Sequence, residues 1–147
     1  MEIRILKESE LDDLLNLYSH VHAADDPLPD RSVVEAVWKD IQDRPKFQYF
    51  GAFVGGRLVS SCTISIMPNF TRGCRSYGLI ENVVTHTDYR RKGYGTAVLQ
   101  HALEYAWGKN CYKVMLLTSR KDEAIHRFYE SAGFDGRAKQ AFIARQG

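Results

Sequence analysis

The chain has 147 residues, 44% of them hydrophobic and 26% charged, with 20 Lys and Arg against 18 Asp and Glu. That composition is close to an average folded protein and excludes disordered, collagen-like and disulfide-scaffold classes. A formal charge of +2 is too small to imply nucleic-acid binding. One domain over residues 1–147, with room for one core, is the expectation. No apolar run approaches the roughly 18 residues that span a bilayer. The stretch from Met1 to Lys7 has no signal-peptide core, so a cytoplasmic protein without membrane attachment is expected. Cys62, Cys74 and Cys111 are odd in number and lack CxxC spacing, which argues against a disulfide framework or a structural zinc. His20 and His22 stand two apart and would not share a helix face, so no metal site is expected.

In chain order, residues 2–6 alternate and predict a short strand. Ser9 with Asp12 resembles a capping box, and Leu11, Leu14, Leu15 and Tyr18 make one apolar stripe of a helix running to about His22. Residues 23–30 hold two prolines and three aspartates and predict a loop. Ser32 with Glu35 opens a second helix carrying Val34, Val37, Trp38 and Ile41. Beyond Pro45 the period changes to two. Strands are predicted over 47–54 and 57–67 with Gly55-Gly56 as the hairpin turn. A loop follows over 68–73, a strand over 75–85, a helix from about 93 to 108, and a buried-type strand over 112–118. A helix over 122–132 ends at Gly133, and a final strand is predicted over 137–144. The chain is therefore α+β (mixed α/β), with hairpins in the middle and one strand–helix–strand unit over 80–118.

The most informative stretch is Tyr89-Arg90-Arg91-Lys92-Gly93-Tyr94-Gly95-Thr96. It follows an apolar strand end and opens an amphipathic helix. Two glycines let backbone approach a ligand closely. The first N–H groups of the helix converge on one spot, where the helix dipole adds positive charge. Arg90, Arg91 and Lys92 add three full charges, and together these features make a phosphate or pyrophosphate cradle. The GxxxxGK[ST] spacing of a P-loop is missing, and Gly93-x-Gly95 is followed by Val98 where a dinucleotide fingerprint needs glycine. The plainer alternative is a basic helix start with no ligand.

Arg90-x-x-Gly93-x-Gly95 resembles the [QR]-x-x-G-x-[GA] signature of the GNAT superfamily of N-acetyltransferases. Ile80-Glu81-Asn82-Val83-Val84-Thr85 resembles the strand that precedes that signature. Arg127-Phe128-Tyr129-Glu130-Ser131-Ala132-Gly133-Phe134 resembles the family's late Tyr-Glu-x-x-Gly-Phe element. Order and spacing fit nearly the whole chain. The resemblance implies a strongly twisted mixed sheet of six or seven strands, flanked by about four helices on both faces. Two parallel strands, 75–85 and 112–118 here, would splay to admit acetyl-CoA, with no metal. The N–H groups of Arg91, Lys92, Gly93, Tyr94, Gly95 and Thr96 would hold the pyrophosphate, with Arg90 beside them. The main chain of Val83 and Val84 would pair with the pantetheine arm as an added strand does. The Val83 N–H would stabilise the oxyanion at the thioester carbonyl.

Acetyl transfer needs a neutral amine, a polarised thioester and a protonated leaving thiolate. By the resemblance, Glu81 would be the base that takes the amine proton, directly or through water, or else a group that orients a cationic acceptor. Tyr129 would be the acid that protonates the thiolate, or else a core aromatic. The chain departs from the family pattern at Asp122, where relatives carry an asparagine that contacts the cofactor arm. An acid there calls for compensation by Arg120 or Lys121; Lys121 is either a solvated lysine or a group that reaches an adenosine 3′-phosphate. The acceptor is expected to be a primary amine of a small molecule or peptide. Asp25, Asp26 and Asp30 would attract a cation. Glu81-Asn82 resembles the strand of amino-sugar phosphate acetyltransferases, with Arg72, Arg75 or Arg120 to hold a phosphate. Trp38, Tyr49, Phe70 and Tyr77 are possible aromatic liners or core residues. Two other readings are a CoA-binding regulatory module without turnover and, third, a nucleic-acid-binding domain using residues 90–92. Pairing of the final strand, with Phe142 and Ile143, across a two-fold axis would make a homodimer.

Overall fold

The computed structural model describes residues 1–21 and 25–147. His22, Ala23 and Ala24, where the first helix was expected to end and the acidic loop to begin, lie outside the described residues. The elements are β1 (Glu2–Ile5), α1 (Leu11–Val21), α2 (Arg31–Gln42), β2 (Phe47–Val54), β3 (Arg57–Met67), α3 (Thr71–Cys74), β4 (Tyr77–Thr85), α4 (Tyr94–Gly108), β5 (Val114–Leu116) and α5 (Glu123–Ser131). Short 3-10 turns at Glu8–Glu10 and Thr87–Tyr89 lead into α1 and the loop before α4. One sheet runs in the order β1-β2-β3-β4-β5. The first three pairings are antiparallel and β4–β5 is parallel.

The mixed α/β class holds, but the sheet has five strands among the described residues instead of six or seven. Residues 137–144 form no strand, and the strand expected over 112–118 shrinks to Val114–Leu116. A strand persists only where a neighbour takes its N–H and C=O groups. β5 has β4 on one side and no strand on the other. Two capping expectations also change. Arg4 of β1 grips Glu10 through two 2.8 Å contacts, and Glu10 accepts the Lys7 N–H at 2.6 Å, so Glu10 orders this turn instead of the expected Ser9–Asp12 pair. α2 begins at Arg31, so Ser32 lies inside its first turn and not at its cap, Asp30 precedes the helix without a side-chain cap, and Glu35 accepts from Arg31 at 3.0 Å. The turn expected as a loop at 68–73 contains α3, in which Arg72, Gly73 and Cys74 all have positive φ.

Apolar residues divide between the two sheet faces, giving two clusters where one core was expected. Phe50, Ala52, Val59, Cys62, Ile64 and Ile80 pack with Val98, Leu99, Ala102 and Ala106 of α4. Phe53, Leu58 and Val84 pack with Leu11, Leu14 and Leu17 of α1 and Trp38 of α2. Alternation along β4 would put Ile80 and Val84 on one face. They lie on opposite faces because β4 carries one extra residue. Thr63 faces Glu81 and Ser61 faces Val84, and Asn82 between them has φ +52°. A bulge of this kind inverts the side-chain pattern beyond it and bends the strand.

Candidate active site

The bulge sets the shape of the site. β4 and β5 pair only from Gly78–Val114 to Ile80–Leu116. Beyond Ile80, β4 runs on to Thr85 held by β3 alone. The edge of Glu81 to Thr85 that would face β5 is left without a strand partner among the described residues. Such an edge offers main-chain donors and acceptors to an extended ligand. Val83, half-buried against the α4 cluster, and Val84, buried against α1, lie on this stretch.

The edge leads into the anion loop. His86 caps the turn Thr87–Tyr89 by accepting the Asp88 N–H at 3.1 Å. Arg91 has φ +61° and Gly93, the residue before α4, has φ +86° and ψ +3°. Gly93 suits this left-handed position, which a Cβ would strain. Alternating backbone hands of this kind turn successive N–H groups toward one concavity. The first helical bond runs from Ala97 N–H to the Gly93 carbonyl at 3.0 Å, so the N–H groups of Tyr94, Gly95 and Thr96 have no partner within the helix. Gly95 is buried for a different reason. A Cβ there would sit 3.0 Å from Phe128 Cζ and 3.1 Å from Thr85 Oγ1. The absence of a side chain at this position lets α4, α5 and the end of β4 approach closely, and a methyl there would require Phe128 or Thr85 to shift by a few tenths of an ångström.

The three cations of the loop are exposed. Arg90 Nε donates to the Thr85 carbonyl at 3.3 Å. Lys92 Nζ lies 5.6 Å from the Tyr89 ring centroid. Among the described residues no carboxylate forms an ion pair with Arg90, Arg91 or Lys92. A left-handed backbone, converging N–H groups and cations without counter-charge fit a pyrophosphate.

Tyr129 of α5 is half-buried and packs against the α4 cluster. The helix stops in a Schellman motif: Gly133 N–H donates to the Glu130 carbonyl at 3.0 Å and Phe134 N–H to the Tyr129 carbonyl at 3.1 Å. The Phe134 and Tyr129 rings then meet at 6.3 Å, and Phe128 packs on Tyr129 at 4.9 Å. The Tyr-Glu-x-x-Gly-Phe pattern thus has a local meaning, since it ends the helix and clamps the tyrosine. Burial pushes the Tyr129 phenol above its ordinary range; Arg120 pulls it down, while Cys62 and Glu81 push it up. The influence of Glu81 on Tyr129 brings the two expected catalytic groups within electrostatic reach. Glu81 is exposed, and its carbonyl accepts from Thr63 Oγ1 at 3.1 Å. By strand alternation its side chain faces the side opposite Ile80, toward α1 and α2.

Asp122, the departure from the family pattern, is neutralised. Arg120 grips both its oxygens, at 3.1 and 3.0 Å, and holds its carboxyl below the usual range. Arg72 and Arg75 lie before the start of β4, at the end opposite the splay. Arg72 stacks on Tyr112 at 5.6 Å and Arg75 donates to the Cys111 carbonyl at 3.4 Å. Neither is brought to the cleft. Of the aromatic candidates, Trp38 is core, donating to the Glu8 carbonyl at 2.8 Å, with Tyr49 edge-on at 5.7 Å. Phe70 is exposed, and Tyr77 sits under Lys113 at 5.4 Å. Between α1 and α2 opens an apolar groove of about 200 Å³, floored by Tyr18, Trp38 and Tyr49 and rimmed by Leu28, Val33 and Val37. Sequence reasoning missed Asn82, Thr85, His86 and Phe128. The readable signal at Asn82 was asparagine's tolerance of the left-handed region.

These features define a splayed-sheet acyltransferase site, and the chain belongs to the Acetyltransferase (GNAT) family, whose model matches residues 11–134. It is an N-acetyltransferase of that family, which uses acetyl-CoA as donor. It is 38% identical over 143 residues to the glucosamine 6-phosphate N-acetyltransferase of Trypanosoma brucei brucei, covering 95% of this chain and 92% of that one. A solved putative acetyltransferase from Agrobacterium tumefaciens str. C58 superposes with a TM-score of 0.92 at 42% identity, over 99% of this chain and 100% of that one. Glucosamine-6-phosphate N-acetyltransferase from Arabidopsis thaliana shares the fold, with a TM-score of 0.82 at 19% identity over 99% and 98% of the two chains. No helix of the described residues is long and apolar enough to cross a membrane.

Proposed function

We propose that this enzyme moves the acetyl group of acetyl-CoA to the primary amine of a phosphorylated amino sugar, by direct attack. The observation that carries the reading is the unpartnered edge of β4, which begins at the Asn82 bulge and ends at the anion loop. It supports placing the pantetheine arm along Val83 and Val84 and the pyrophosphate at Arg91 to Thr96. The sugar-phosphate class rests on the 38% identical relative, which spans nearly all of both chains.

In this mechanism Glu81, facing the α1–α2 side, takes a proton from the acceptor ammonium. The freed amine attacks the thioester carbonyl, with its developing oxyanion against the Val83 N–H. The C–N bond forms and the C–S bond breaks. Tyr129, kept protonated by burial, gives its proton to the departing sulfur, so free CoA leaves as the thiol. The nitrogen, positively charged after attack, gives up its second proton through water to restore the phenol, and Glu81 returns its proton to solvent. Arg120, which pairs with Asp122 and acts on the Tyr129 phenol, is the nearer of the expected phosphate partners, since Arg72 and Arg75 are at the far end of β4.

The test is thiol release from acetyl-CoA with glucosamine 6-phosphate, glucosamine, a polyamine and a lysine peptide as acceptors. The expected result is a kcat/KM for glucosamine 6-phosphate at least about a hundredfold above the others, the discrimination a site built for a polar group achieves. Equal turnover of glucosamine and its phosphate would overturn the sugar-phosphate class. Saturable acetyl-CoA binding without turnover of any amine would favour a regulatory module.

A further inference from the structure

Behind the anion loop sits a buried histidine that the acetyl-transfer chemistry does not use. His86 is only 4% exposed. Its N–H donates to the Val59 carbonyl at 2.8 Å and its carbonyl accepts from Tyr89 at 2.9 Å. Nδ1 accepts the Asp88 N–H at 3.1 Å, while Nε2 stands 3.2 Å from Arg57 Nη2. The ring lies tilted against His20 of α1, with centroids 4.6 Å apart, and meets Tyr89 edge-on at 5.6 Å. Tyr89 in turn carries Lys92 at 5.6 Å and contacts Tyr94, the first residue of α4, at 6.1 Å. His86 therefore joins α1, the start of β3 and the cradle.

The chemistry of the ring follows from its neighbours. Both ring nitrogens face N–H donors. A neutral imidazole has one lone pair to offer and satisfies the Asp88 N–H or the Arg57 guanidinium. An imidazolium has none, loses the cap, and sets a second positive charge beside Arg57. Two carboxylates act in the opposite sense. Asp88 Oδ2 is 3.9 Å from Nδ1 but exposed. Asp13 of α1 lines the cavity of about 40 Å³ that His86 shares with Asn16, His20 and Arg57.

We propose that His86, as the neutral imidazole, is a positioning residue that sets the backbone of the pyrophosphate cradle, and that its protonation loosens the cradle and weakens acetyl-CoA binding. This rests on the reading that residues 91–96 hold the pyrophosphate. Asparagine is the discriminating substitution. The Oδ1 of His86→Asn can accept the Asp88 N–H as Nδ1 does, and asparagine is a favoured cap, but it cannot take a proton.

The experiment is calorimetric titration of acetyl-CoA into wild type, His86→Asn and His86→Ala at about pH 7.5 and about pH 5.5. The wild-type to His86→Asn contrast cancels the titration of the ligand's own phosphate. Expected is a Kd for His86→Ala raised about fivefold at the higher pH, the worth of one cap bond. His86→Asn should bind there like wild type. On acidification the wild-type Kd should rise about fivefold more than that of His86→Asn, and in steady-state assays the loss should fall on the KM for acetyl-CoA more than on kcat. Parallel pH dependence of wild type and His86→Asn overturns the proposal, as does tighter wild-type binding in acid, which would mean that Asp13 and Asp88 dominate. If His86→Ala does not fold, the wild-type and His86→Asn pair decides alone. Wild type that fails to bind acetyl-CoA at the higher pH removes the cradle reading itself, and this proposal with it.

Discussion

The proposed cofactor half of this enzyme is made of backbone, whereas the half bounded by α1 and α2 is made of side chains. At the proposed cradle, Arg91 and Gly93 are left-handed, Gly95 leaves little room for a Cβ, and β4 presents a bare edge. Across the sheet, α1 and α2 present an apolar groove of about 200 Å³ lined by side chains such as Leu15, Val34 and Ile41. A backbone site tolerates little change in geometry but much in sequence around it. A side-chain site retunes with each substitution, which is why the acyl donor is easier to read than the acceptor.

The largest expected effect is at Gly95. Gly95→Val would drive two methyls into Phe128 and Thr85. Overpacking of this kind costs about 1–3 kcal/mol, and displacement of α5 would abolish the stabilisation by acetyl-CoA. Thermal unfolding checks both, since ligand at a hundred times its Kd adds about 2.7 kcal/mol to wild type. A variant that keeps the full ligand shift would show that the cradle does not depend on this close approach.

Next comes Glu81→Gln. Removal of a general base should lower kcat about a hundredfold and leave the KM for acetyl-CoA near its wild-type value, because Glu81 faces away from the cradle. A change confined to the acceptor KM would instead make Glu81 an orienting group of the side-chain half.

Tyr129→Phe should lower kcat about tenfold or more, with a pH signature. Burial raises the phenol, so in wild type the donor stays protonated past the ordinary phenol range, about 10. The alkaline limb of kcat should begin above that value and vanish in the variant. The linked stability has the same sign. The unfolded phenol ionises first, so wild type loses stability as pH rises from about 10, and Tyr129→Phe loses less. Identical alkaline unfolding of the two proteins would contradict a buried, proton-retaining Tyr129.

The smallest effect is expected from Val37→Ser at the groove rim. Val37 is 55% exposed, so stability should change by no more than about 0.5 kcal/mol. The KM for acetyl-CoA should be unmoved, while the acceptor KM shifts. Steady-state kinetics with both substrates varied would show whether the two halves are as separable as their construction suggests.

Much of this molecule is written in short stretches of sequence. Strand period, the two-residue Gly55-Gly56 hairpin, the glycine-led start of α4 and the helix stop at Gly133-Phe134 were all legible. Each is decided by the backbone preferences of a few adjacent residues. The final strand over 137–144 was misread because alternation describes a strand's faces but supplies no neighbour for its hydrogen bonds. The turn before α1 was misread because Glu10 answers to Arg4 on another element.

What tertiary structure decided lies where distant segments meet. The Asn82 bulge exists only as a register between β3 and β4, and it sends Ile80 and Val84 to opposite cores. The splay exists because β4–β5 pairing ends at Ile80 and Leu116. His86 is buried because α1, β3 and the loop before α4 close around it. The sequence alone determined the chemistry available, namely a phosphate cradle, a carboxylate and a phenol. Only long-range pairing and packing could set Glu81 within electrostatic reach of Tyr129, because the proximity of residues 48 positions apart is a property of the whole fold.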